Sequence, residues 1–96
     1  MIYDEIMEFV YKSDIDDDKK YIVYHAMKKA LIDITRECYK ELCEHYNGSA
    51  DRTGQSVITF ESACESLHCT REFLENIVLV MIHEKITELQ GGMIVL

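Results

Sequence analysis

The chain has 96 residues, with ten Lys and Arg against eighteen Asp and Glu, for a formal net charge of -8. That length allows one domain with a modest core, and 48% hydrophobic residues suit a folded chain better than a disordered one. No stretch approaches the roughly 18 unbroken apolar residues of a membrane span, and the acidic balance opposes generic phosphate-backbone binding.

Proline is absent and the four glycines fall in two clusters, so few positions force a break. Met1–Ser13 places Ile2, Ile6, Phe9 and Val10 at helical spacing, which predicts a first helix. The spacing then predicts a longer helix from Lys19 to about Tyr46, with Val23, Met27, Ala30, Leu31, Ile34, Cys38 and Leu42 as its buried stripe. Asp16, Asp17 and Asp18 stand at its N-terminus, where carboxylates cap free amides and oppose the dipole. Asn47-Gly48 reads as a helix stop and Ser49–Ser56 as an exposed polar loop. Val57-Ile58-Thr59-Phe60 is β-like, and Thr59 or Glu61 opens a short helix carrying Ala63, Cys64 and Leu67. His68-Cys69 makes a tight turn, and Thr70 caps a helix from Arg71 to about Lys85. Finally, Ile86–Leu89 and Met93–Leu96 flank Gly91-Gly92 and read as a hairpin.

Strand, helix, turn, helix, hairpin is the order of a winged helix-turn-helix, and Val57–Leu96 resembles one. The line Ile58-Thr59-Phe60, Leu67, Arg71-Glu72-Phe73-Leu74 and Ile86 through Leu96 is similar to the terminal winged helix of two chromosome-machinery families. One is the C-terminal domain of minichromosome-maintenance helicase subunits; Ala30 through Glu37 is loosely similar to a helix leading into it. The other is the C-terminal domain of kleisins, which docks on a chromosome-segregation ATPase and not on DNA. Neither resemblance carries an invariant motif, so it implies a fold and a setting but no site residues. The expectation is a single domain over residues 1–96, mainly α with a small β-hairpin (α+β). Residues 1–46 would form N-terminal helices and 57–96 the winged helix-turn-helix. Residence inside the cell, in cytoplasm or nucleus, is expected because the acidic Met1–Glu8 start is unlike a signal peptide.

A winged helix reads DNA by placing its second helix in the major groove, with cations reaching bases and backbone. Here residues 57–96 hold two basic and six acidic residues (-4), residues 1–18 hold one Lys and seven acids (-6), and residues 19–56 hold seven basic and five acidic (+2). The reading surface therefore carries the wrong sign, and a protein-interaction module, without enzymatic activity, is favoured over a DNA reader. Six consecutive apolar residues, Ile77 through Ile82, cover every side of a helix. The long helix wrapping over this run is one account; a partner or a second copy is another. A buried strand is the third. If a partner covers the run, Ile77, Val80, Met81 and Met93 are the interface candidates. The alternative function, a dimeric winged-helix transcriptional regulator, would take Lys28, Lys29, Arg36, Lys40, Arg71 and Asn76 as its DNA contacts. Interleaved acids at helical offsets favour a solvated, self-paired face for the long helix.

Cys38, Cys43, Cys64 and Cys69 lie near His45 and His68, yet a separation of five turns two helical sulfurs well apart. Cys64 and His68 make a better ligand pair, but buried reduced thiols are the expected state, with no metal and no cofactor. Asp14 through Asp18 begins like a calcium loop but has Lys19 where that loop needs Gly and His25 where it needs Glu. Asn47-Gly48-Ser49 matches a glycosylation acceptor and is read as a turn. No phosphate-cradling loop, nucleophile elbow or zinc-protease pattern is present.

Overall fold

The computed structural model describes residues 2–47 and 57–96. Within them the order is α1 (Ile2–Tyr11), α2 (Asp17–Asn47), β1 (Val57–Ile58), α3 (Phe60–Leu67), α4 (Arg71–His83), β2 (Leu89–Gln90) and β3 (Met93–Val95). The chain is mainly helical with one small three-stranded antiparallel sheet, ordered β1-β3-β2. Val57 pairs with Val95 and Ile58 with Ile94, while Leu89 and Gln90 pair with Ile94 and Met93. Gly48 and the Ser49–Ser56 loop lie outside the described residues.

Local chemistry sets the boundaries of the C-terminal helices. Thr59 and Thr70 take extended backbone, and each hydroxyl accepts the amide three residues on, Ser62 and Phe73, at 3.1 Å. Each cap satisfies an amide that the helix start leaves without a partner. Phe60 therefore belongs to α3, and the strand stops at Ile58. At the far end of α3, His68 is left-handed (φ 52) and Cys69 N–H donates to the Cys64 carbonyl at 3.1 Å. Lys85 (φ 57) ends α4 in the same way, with Ile86 N–H reaching the Met81 carbonyl at 2.8 Å. The hairpin turns at Gly91 (φ 56) and Gly92 (φ 76), two consecutive positive angles that a two-residue turn of this hand needs and that glycine supplies without strain.

One core cluster gathers Leu42 of α2, Ile58, Ala63, Leu74, Ile77, Val78, Met81 and Ile94. Two tyrosines pin α2 onto this body: Tyr39 Oη donates to the Val95 carbonyl at 3.2 Å and Tyr46 Oη to the Ser62 carbonyl at 2.9 Å. Thr87 Oγ1 also donates to the Val95 carbonyl, closing the end of the sheet. The N-terminal part of α2 instead pairs with α1, burying Tyr3, Val10 and Tyr24. There Lys20 Nζ donates to the Tyr11 carbonyl at 2.9 Å, and Lys28 Nζ lies 4.8 Å from the Tyr3 ring centre. Tyr3 Oη donates to Glu84 at 3.3 Å, so α1 also reaches the end of α4.

Three stripe assignments differ from the sequence reading, Ala30 and Ile34 on α2 and Phe9 on α1. Ala30 is exposed because it lies about a third of a turn round the helix from the line that faces the core. Ile34 is 50% exposed, whereas Thr35 is fully buried. The buried line of α2 runs through Tyr24, Leu31, Thr35, Cys38 and Leu42. Thr35 can occupy it because its hydroxyl donates to the Leu31 carbonyl at 2.7 Å and so carries no unmet polar group inward. On α1, Phe9 is 67% exposed and Tyr3 takes the inward position instead. Tyr3 brings a ring for the core and a hydroxyl for Glu84. No helix among the described residues is long and apolar enough to cross a membrane.

Candidate protein-interaction groove

The apolar run of α4 is divided by helix geometry. Leu74, Ile77, Val78, Val80 and Met81 are buried in the chain's own core. Three of the four sequence-derived interface candidates, Ile77, Val80 and Met81, are therefore unavailable to a partner, because the chain itself already buries them. The fourth, Met93, is half-buried on β3. The exposed members of the run are Leu79 (48%) and Ile82 (39%). They fall on the sector that also carries Arg71 and Glu75, since offsets of three and four share a helical face.

Leu79 and Ile82 form one wall of a groove completed by Phe60, Glu75, Val78 and Leu89. Leu89, 40% exposed on β2, brings the hairpin side of the groove. The volume is about 280 Å³, at the low edge of the roughly 300–1,000 Å³ of small-molecule pockets. Such a site suits one or two protruding side chains better than a whole ligand. Its rim is self-paired: Arg71 Nε lies 3.1 Å from Glu75 Oε1, and the guanidinium sits 4.6 Å from the Phe60 ring centre. A larger depression, about 610 Å³, is lined by Asp33, Ile34, Glu37, Cys38, Lys40, Glu41 and Glu44, all on α2. With every lining residue on one helix, it is a feature of that helix surface and not an enclosure.

The candidate DNA contacts do not converge. Arg71 is committed to Glu75 and Phe60, and Asn76 is half-buried. Lys29 pairs with Asp33 at 3.2 Å, and Lys28 lies over Tyr3. Arg36 and Lys40 are exposed, but Lys40 shares its depression with four carboxylates. Among these cations, contacts within the chain are the dominant arrangement, and the hairpin turn adds no charge.

The thiols behave as packing groups. Cys38, Cys64 and Cys69 all rest against the core cluster. Burial pushes the Cys38 thiol up, with Glu41 and Glu37 adding to it, and burial followed by neighbouring Cys64 pushes Cys69 up. These two thiols stay protonated at neutral pH, which is unfavourable for ligation or nucleophilic attack. Among the described residues no group of three His, Cys, Asp or Glu side chains is placed to hold a metal ion. Sequence reasoning misses Leu79, Ile82 and Leu89; the Arg71, Glu75, Leu79 progression, four apart each time, is the available signal for the first. No protein-family model, curated protein or solved structure matches the chain.

Proposed function

We propose that the chain is a protein-interaction module without catalytic activity, its Val57–Leu96 half a winged helix-turn-helix that uses the α4–β2 groove to hold apolar side chains of a protein partner. The sheet order β1-β3-β2, the two Thr-capped helices and the Gly-Gly hairpin support that fold assignment. The carrying observation is the exposure of Leu79 and Ile82 on α4, the helix with which a DNA reader presents cations, together with Leu89 beside them on β2. The resemblance to chromosome-machinery winged helices directs the search toward a nucleic-acid-handling assembly, in replication or chromosome maintenance.

The test pairs two measurements. A pull-down from native extract with wild type and with Leu79→Glu should identify a partner that the variant loses by at least tenfold. Both proteins should show the same helical circular-dichroism spectrum, because Leu79 is outside the core. A mobility-shift titration on duplex DNA at low salt should show no shift; a shift that weakens steeply with salt would overturn the reading in favour of DNA binding.

A further inference from the structure

The outward face of α2 carries a pattern that reads alike in both directions. Lys19, Ile22, Ala26, Ala30, Ile34 and Glu37 are all exposed, Ile22 by 66%. At about 3.6 residues per turn they occupy the side of α2 away from Tyr24, Leu31 and Leu42. Inversion about Lys28 exchanges Ile22 with Ile34 and Ala26 with Ala30, like for like. It also exchanges Lys19 with Glu37, opposite in charge. We propose that this face is a homodimer interface, with α2 of a second copy lying antiparallel across it about a two-fold axis at residue 28.

Several features select a second copy in this orientation. An isologous interface requires a patch complementary to itself, and size and charge meet that requirement at these six positions. Asp33, on the same face, falls opposite Val23 and is paired with Lys29 of its own chain at 3.2 Å. Parallel pairing would set Lys19 on Lys19 and Glu37 on Glu37. The two alanines at the centre allow close backbone approach, and residues four apart form the ridge by which helices most often interlock. The depression holding Asp33, Ile34 and Glu37 receives Ile22 and Lys19 of the second copy. The same inversion sets Asp16 against Lys40. Lys20 falls opposite Arg36, but it is turned toward α1 and held by the Tyr11 carbonyl and Asp17. Lys19 meets Asp16 of its own chain at 3.7 Å, with both side chains well exposed. So open a contact is weak and is readily exchanged for Glu37 of the second copy.

Sedimentation equilibrium of the full chain over a concentration series tests the proposal. Wild type should show a monomer–dimer equilibrium, and K19E and E37K should each weaken it by roughly tenfold, since each replaces two attractive pairs with two repulsive ones. An equimolar mixture of K19E and E37K should recover wild-type dimerisation. In the mixed dimer one chain carries an acid at both positions and the other a base at both, so each end again pairs opposite charges. Ala30→Arg, which keeps a helix-favouring residue, should abolish the dimer with unchanged helicity. A chain monomeric up to about 1 mM, or a mixture no tighter than either variant alone, would overturn it.

Discussion

Helix α2 passes through two environments, and the contrast between them organises the molecule. Along its C-terminal half, Thr35 and Leu42 are sealed and Tyr39 and Tyr46 are bonded to β3 and α3. Along its N-terminal half α2 packs mainly against α1, and Tyr21 and Ile22 stand in solvent together with Phe9, Met7 and Tyr11 of α1. The C-terminal body seals a central cluster and leaves Val57, Phe73, Leu79, Ile82 and Leu89 between 39% and 48% exposed, whereas the α1–α2 hairpin leaves Phe9, Tyr21 and Ile22 between 64% and 67% exposed. Apolar content alone thus says little about where a core forms; the number of elements converging on a helix decides it.

The sharpest way to test that contrast is to delete buried volume on each side. Leu74→Ala should cost about 3 kcal/mol in chemical denaturation and lower the whole unfolding transition, because its site lies in the centre of the body. Val10→Ala removes a fully buried side chain from the hairpin and should cost about 2 kcal/mol. Near-ultraviolet circular dichroism from the tyrosines should report α1 loosening while the body persists. Equal shifts of a single transition in both variants would break the contrast and make the chain one cooperative unit.

Smaller effects sharpen it. Thr70→Ala should cost about 1 kcal/mol through the lost amide bond at the start of α4, read as a lowered denaturation midpoint. Tyr3→Phe should cost about 1 kcal/mol by removing the bond to Glu84, the hydroxyl that ties α1 to α4. Burial, followed by the Glu84 carboxylate, pushes Tyr3 up to about 12. A phenol that ionises later in the folded state stabilises fully below its ordinary value near 10 and loses that contribution as pH rises toward 12. Alkaline denaturation should therefore be shallower between those pH values for Tyr3→Phe than for wild type. Leu79→Glu should change stability by under about 0.5 kcal/mol, since it touches the groove and not the core.

Much of this architecture is legible because single residues announce it. Thr59 and Thr70 have the right chemistry for caps, Gly91-Gly92 for a tight hairpin, and Asp17-Asp18 for a helix start. The misreadings share a cause. An unbroken apolar run has no period, so nothing in Ile77 through Ile82 says which two residues face water until Arg71 and Glu75 mark the polar sector. Thr35 loses its place to Ile34 because a hydroxyl counts as polar in a pattern, although a helix carbonyl four residues back can satisfy it. The inward role of Tyr3 depends on Glu84, 81 residues away in sequence, a relation no local pattern holds.

A single uninterrupted helix that serves two cores has a dynamic consequence. Its backbone amides need not open together: those from Thr35 onward are tied to the body, while those before Leu31 are covered by α1. Amide hydrogen exchange along α2 should fall into two classes, a slow one limited by global unfolding and a faster one set by release of α1, with the change of class near Leu31–Thr35. The helix is continuous in structure but not in protection, and that boundary measures how far the hairpin lives independently of the body.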